Sequence, residues 1–304
     1  MLIKSADDKS KRLKLLEQLQ DSAVLENGQR EWLSKQLHSQ RTGMAGERNA
    51  AHYIDNHYRD RTTHAVIHDL RIQVGGESAQ IDHLVISRGM HFYLLETKTF
   101  NGNLFISEHG EFSVEYAGGS GFGIESPLEQ SRRHGNVLAK LLRNLGISRR
   151  LGAPPHFHHL VLVHPKGKIA RPQGLKTDHV IQADQFATWH EKFQSKLSVA
   201  QALPAIINLR SVSTLKRIAE KIAHQHIPVD QLALPLFMAP KANLIQEVAA
   251  VRRAPAAPGS APRKRLVCST CGVKISIQEG RFCWNNERRF GGHQFCRAHQ
   301  IQPT

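Results

Sequence analysis

Along the first forty residues, apolar positions recur at helical spacing in an otherwise polar stretch: Leu13, Leu16 and Leu19, then Val24, Trp32 and Leu33. The spacing predicts one or two amphipathic helices over 5–40. A further helix is predicted over 43–58, GMAGERNAAHYIDNHY, where Met44, Glu47, Ala51, Ile54 and Tyr58 form one stripe. The pattern then changes to short apolar runs. HAVIHDLRIQ (64–73), AQIDHLVIS (79–87) and HFYLLETKTF (91–100) read as three strands, with turns at Gly75–Gly76 and Arg88–Gly89. GNLFIS (102–107) and EFSVEY (111–116) read as a shorter hairpin, and GGSGFG (118–123) as a loop.

A helix follows from Ser126. Ser126 is placed as N-cap, Pro127 as the first helical residue and Glu129 as the partner in a capping box, with Gly146 ending the helix. HHLVLVHP (158–165) reads as a strand. Residues 179–250 read as a short strand, HVIQA (179–183), and mostly helical segments. RRAPAAPGSAPRKR (252–265) is a basic Pro/Ala linker, where a domain boundary is expected.

Charge changes the picture. Lys and Arg number 41 against 26 Asp and Glu, a net +15 in 304 residues. A surplus of that size favours a polyanionic partner, either nucleic acid or anionic lipid. No apolar run of about 18 residues is present, so no transmembrane helix is expected. The charged first residues lack a signal-peptide core, so the expected location is cytoplasmic. All four cysteines fall between 268 and 296, unlike a secreted disulfide framework.

The candidate chemistry lies in the predicted strands. Glu96 and Lys98, two residues apart, share one face of their strand, and Asp82 lies on the strand before it. An antiparallel pair with a tight turn brings Asp82 towards them. Glu47 is on the stripe of the preceding helix. Gln130 is on the inward stripe of the helix that Ser126 begins, with His134, Val137 or Leu138, Leu141 and Leu145. Buried carboxylates are costly unless paired or bound to a cation. Several of them meeting points to a hard-metal site, Mg²⁺ or Mn²⁺, with the lysine steadying charge on a phosphate oxygen or helping a water lose its proton. The bland alternative is a solvated Glu96–Lys98 pair on an open sheet face. His83 is expected on the opposite side of its strand from Asp82, as a structural neighbour. The N-terminal helices are expected to be solvated or packing elements.

The order G-x-x-G-E (43–47), I-D-H (81–83), E-T-K (96–98) with N-G (101–102), and S-P-L-x-Q (126–130) resembles the nuclease-related domain of the PD-(D/E)xK nuclease superfamily. The resemblance implies an α/β fold with a mixed sheet flanked by helices and a metal-dependent phosphodiesterase site. It implies catalytic roles for Glu47, Asp82, Glu96, Lys98 and Gln130, with Asp82, Glu96 and Glu47 holding Mg²⁺. Many relatives carry a tryptophan on the strand after the N-G turn, where this chain has only Phe112 and Tyr116. The expected division is a helical segment over 1–40, the nuclease-related domain over 41–165, an α/β to mostly helical extension over 166–250, the linker over 251–265 and a zinc ribbon over 266–304.

CSTC (268–271) and CRAH (296–299) read as two metal knuckles. Cys268, Cys271, Cys296 and His299 are assigned to Zn²⁺, with Cys283 as an alternative fourth ligand. Residues 251–304 carry ten Lys/Arg against two Glu, and Phe282, Trp284, Phe290 and Phe295 are interleaved with Arg281, Arg288 and Arg289. That composition suits phosphate contact with base stacking, although the same aromatics could form the small core of the unit. The segment resembles zinc ribbons appended to DNA-processing proteins. The leading reading is a nuclease acting on nucleic acid, with DNA the expected form and a zinc ribbon as binding tail. The alternatives are a DNA-binding module that does not cut, and a scaffold whose ribbon binds a protein.

Overall fold

The computed structural model describes residues 1–100, 102–116, 119, 121–147, 154–196, 199–239 and 266–301. The linker and part of the glycine loop lie outside these residues. Backbone contacts divide the chain into two units, Met1–Leu244 and Ile245–Thr304.

The first unit is built on a six-stranded mixed sheet. Its strands are β1 (Leu2–Lys4), β2 (His64–Val74), β3 (Glu77–Ser87), β4 (His91–Lys98), β8 (His156–Val163) and β10 (Val180–Gln182), in the order β1-β2-β3-β4-β8-β10. β2, β3 and β4 are antiparallel neighbours, while β4–β8 and β8–β10 are parallel. The Gly75–Gly76 turn is made with both residues at positive φ, where glycine carries no steric cost. At the second turn the left-handed residue is Met90, not Gly89.

A second sheet, β7-β6-β5-β9, comprises β5 (Asn103–Ile106), β6 (Phe112–Glu115), β7 (Gly121–Ile124) and β9 (Ile169–Ala170). β7 falls within the stretch read as a loop. Its GFGI sequence has too few side chains to show a period. Phe112 is buried in this sheet's core with Leu104, Ile106 and Val114.

Helices cover both faces of the large sheet. α3 (Pro127–Asn144) and α6 (Val212–Ala223) pack on one face, α2 (Asn27–Tyr58) and α4 (Phe186–Ser195) on the other, while α1 (Ser10–Gln20) packs against α2 and α5 (Val199–Ile207) precedes α6. Among the described residues, no helix is long and apolar enough to cross a membrane. Alternate residues of β4 serve opposite layers. Phe92 and Leu94 pack with Val137, Leu138 and Leu141 of α3, while Tyr93 and Leu95 pack with Ala50 and Ile54 of α2. The helix over 43–58 is the second half of α2, a single 32-residue element. Its buried stripe of Leu33, Leu37, Gly46, Ala50, Ile54 and Tyr58 continues through the glycines, and one exposed glycine costs a helix only about 1 kcal/mol.

The start of α3 differs from a full capping box. Ser126 accepts the Glu129 N–H, but the Glu129 side chain pairs with Arg132 instead of reaching back. Gly146, at φ +67°, ends the helix as the pattern predicts.

Neutral imidazoles fill the end of the sheet where β4 begins. His190 Nδ1 meets the Tyr58 hydroxyl at 2.7 Å, and His91 Nδ1 meets His158 Nε2 at 2.7 Å. Burial pulls His64 and His91 down to about 4, and His158 and His190 to about 3. An unfolded histidine titrates near 6.5, so between about pH 6.5 and 4 the unfolded chain binds more protons than the folded one. Stability therefore falls as pH drops through that window. Urea unfolding at pH 7.5 and 4.5 is expected to show the loss, with a shallower slope for His158→Gln. Equal pH dependence in parent and variant would contradict this account.

Candidate active site and metal centre

The site begins where one ladder stops. β3 and β4 pair from Ile86↔Phe92 to His83↔Leu95. The Thr97 N–H then donates to Asp82 Oδ2 at 2.8 Å, so a side chain takes over the bond that a strand would make. On its other edge β4 stays paired with β8 through Lys98↔Val163. Glu96 and Lys98 project into the α3 layer, on the same face as Leu94.

Lys98 Nζ donates to Glu96 Oε1 at 2.9 Å and to Gln130 Oε1 at 3.0 Å. Gln130 lies in the first turn of α3, whose start is fixed by the Ser126 cap. His134, one turn further on, places Nδ1 3.8 Å from Glu96 Oε2. Burial, with Arg133 and Lys98 nearby, brings that imidazole down to about 4, so the contact is not an ion pair at neutral pH.

Glu47 arrives from the other layer, on α2. Its Oε2 accepts from Lys9 Nζ at 2.9 Å, and the same ammonium lies 3.2 Å from Asp69 Oδ2. Asp69 is a fourth acid that the sequence reading passed over. It is buried, sits at φ +49°, and stands opposite Asp82 at the one position skipped in the β2–β3 register between His68↔His83 and Leu70↔Ile81. An Asp interrupting an apolar strand was the available signal, since Asp tolerates left-handed backbone better than most residues. Lys9 gave none, being one of many charges in a polar segment. Gly46 lets α2 approach the end of β4, because a Cβ there would lie 1.8 Å from Thr99 Oγ1.

The carboxylates act on one another. Burial pushes Asp82 well above the usual carboxylate range, Glu96 and Glu47 add to it, and the Thr97 N–H and Lys98 oppose it. Burial also raises Glu96, against Lys98, with Glu47 adding to the rise. For Lys9, burial works against the charge, but Glu47 and Asp69 outweigh it and hold the ammonium above its ordinary value. His83 makes no bond to these acids but places Nδ1 2.8 Å from His68 Nδ1, while His68 Nε2 meets Asp55 Oδ1 at 3.1 Å.

In the second unit, the first knuckle closes through Cys268 N–H to Val273 O and Gly272 N–H to Cys268 O, with Gly272 at φ +68°. Helix α7 (Ile277–Asn285) and the one-turn α8 (Glu287–Phe290) separate it from the second knuckle. Cys268, Cys271, Cys296 and His299 converge with one ligand atom each inside 4.8 Å. Cys271 Sγ lies 3.8 Å from Cys296 Sγ, and His299 Nδ1 lies 3.6 Å from Cys268 Sγ and 3.2 Å from Cys296 Sγ. A tetrahedral zinc with bonds of about 2.3 Å to sulfur and 2.0 Å to nitrogen sets those separations near 3.8 and 3.5 Å, so the cluster fits that ion. Burial works against ionising Cys268, yet bonds to the backbone of Cys296, Cys271 and Thr270 bring its thiol down to about 5, towards the ligating thiolate.

Cys283 stands apart from the four. It is buried with Ile275, Phe290 and Phe295, and its sulfur accepts the Phe295 N–H at 3.3 Å. The aromatics divide: Phe290 and Phe295 are core, while Phe282 and Trp284 are exposed.

Residues 42–164 match the family model of the nuclease-related domain. No curated protein and no solved structure matches the chain. The matched span contains Glu47, Asp69, Asp82, Glu96, Lys98 and Gln130, so the acids and Lys98 lie within the stretch, residues 42–164, that is similar to the nuclease-related domain.

Proposed function

We propose that the chain is a divalent-metal-dependent phosphodiester hydrolase acting on nucleic acid, DNA in particular, and that its C-terminal unit is a zinc-held binding tail. The observation that carries the reading is the charge of the cluster. Glu47, Asp69, Asp82 and Glu96 face two ammonium groups, Lys9 and Lys98. As carboxylates they leave two negative charges uncompensated. An unpaired buried carboxylate costs several kcal/mol, so the cluster suits one divalent cation.

Asp82, Glu96 and Glu47 would hold the ion, for which Mg²⁺ and Mn²⁺ suit an all-oxygen donor set. Bound there, it supplies positive charge to a phosphoryl oxygen and makes a hydrolytic water more acidic. Asp82 commits one oxygen to the Thr97 N–H, which fixes its carboxylate plane. Glu96 and Gln130 together hold the Lys98 ammonium, which donates to a phosphate oxygen as negative charge grows there. Gln130 acts through Lys98 as a positioning residue. The reading includes a cytoplasmic location, supported by cysteines grouped at 268–296 with metal-ligand spacing instead of a disulfide framework.

A binding module that does not cut is the second reading. Lys9 favours it, because its ammonium is already paired with Glu47 and Asp69, where a metal ion would otherwise compete. Cleavage decides between the two. The purified protein is expected to cut DNA with Mg²⁺ and to stop when the free metal is chelated. Lys98→Ala and Asp82→Asn should each lower the rate by about 10²–10⁴-fold. Variants that cut as fast as the parent would overturn the assignment.

For the tail, elemental analysis of the purified chain is expected to find about one zinc. Cys283→Ala should keep it and His299→Ala should lose it. The opposite pattern would make Cys283 the ligand.

A further inference from the structure

A basic cleft lies outside the acidic cluster, at the open edge of the large sheet. Its larger lobe, about 660 Å³, is bordered by Lys166, Lys168, Arg171, Trp189 and Lys192, with no carboxylate among the described residues that line it. A second lobe of about 600 Å³ shares Arg171, Trp189 and Lys192, and adds Lys196 with a single acid, Asp178. Lys192 and Lys196 are i, i+4 neighbours from the last turn of α4, a spacing at which like charges repel.

The walls of the cleft are held in place. Gln182 Nε2 donates to Pro165 O and Gly167 O, and Leu104 N–H donates to Lys168 O, so the loop carrying Lys166 and Lys168 is pinned from both sides. Arg171 directs its guanidinium to Thr177 O, Thr177 Oγ1 and Val180 O, which leaves the lysines to meet a ligand. Trp189 stacks on Phe193 with ring centres 5.2 Å apart and forms an apolar wall between the two lobes.

The register ties the cleft to Lys98. Lys98 pairs with Val163, and Val163 with Gln182, a residue of the cleft wall. β4, β8 and β10 are parallel, so the same ends of all three lie in one row, where open α/β sheets bind their ligands. Two strand spacings, about 10 Å, separate the backbones of Lys98 and Gln182.

We propose that this cleft holds the phosphodiester backbone of a single nucleic-acid strand as it runs from Lys98 across the ends of β8 and β10. The lysines contact phosphates, and Trp189 offers an apolar surface to an unpaired base, so the grip is independent of base sequence. The concave, two-lobed form suits a chain better than a flat anionic lipid surface. The assignment rests on the nuclease reading for the direction of the strand and not for binding itself.

The test is fluorescence anisotropy of the full chain, without added divalent metal, on a labelled oligo-dT of about 20 nucleotides across a salt series. Lys166→Ala/Lys168→Ala/Lys192→Ala is expected to weaken binding by tenfold or more at low salt. The slope of log K against log salt should flatten by about 2, from about 0.7 for each phosphate that a lysine no longer neutralises. A control lacking three exposed lysines elsewhere, Lys11→Ala/Lys14→Ala/Lys35→Ala, should bind like the parent. The proposal is overturned if the cleft variant binds like the parent, if the control loses as much, or if the cleft variant loses affinity only for phosphatidylserine vesicles. Cleft-dependent binding in a parent protein that cuts no substrate would sink the nuclease reading and leave this assignment standing.

Discussion

The bond from the Thr97 N–H to the Asp82 carboxylate is the constraint on which the site depends. A continuous β3–β4 ladder would keep the two strands joined by backbone alone. Here the side chain of one strand takes the next amide of the other, and the backbone pairing ends at His83↔Leu95. β8 keeps β4 straight to Lys98, so Glu96 and Lys98 remain on rigid sheet while their neighbouring edge opens. The α3 layer delivers Gln130 to one side and the α2 layer delivers Glu47 to the other. The close approach of α2 needs a residue without a side chain at Gly46.

The same geometry creates an electrostatic imbalance. Glu96 is buried, Asp82 feels Glu96 and Glu47, and Asp69 stands opposite Asp82 in the register. Lys98 and Lys9 answer half of that charge. Lys9 comes from the segment before α1, so a part of the chain outside the matched residues 42–164 supplies a counter-charge to the acids within them. A metal ion and a phosphate, which carry opposite charges, can both be accommodated where acids and lysines alternate in this way.

Much of this was legible in the sequence because it rested on periodicity and local chemistry. The three central strands follow from alternation and turn residues, and the i, i+2 spacing puts Glu96 and Lys98 on one face. Gln130 follows from the stripe on α3 and the Ser126 cap. What could not be read depends on contacts far apart in the chain. Lys9 reaches Glu47 across 38 positions, β1 is three residues long, and Asp69 owes its place to a left-handed residue inside a strand. Likewise, spacing alone left Cys283 and His299 as rival zinc ligands, and only packing in the small core separates them. The opposite layers of Glu47 and Gln130 were also hidden, because the sequence shows that a helix packs on a sheet but not on which face.

Manganese binding followed by electron paramagnetic resonance tests the central claim most directly, since bound Mn²⁺ loses the signal of the free ion. With the zinc site filled, the parent chain is predicted to take up one Mn²⁺ that Mg²⁺ displaces, and Asp82→Asn with Glu96→Gln to take up none. Equal uptake by parent and variant, or no uptake by the parent, would show that these carboxylates do not gather around a shared cation.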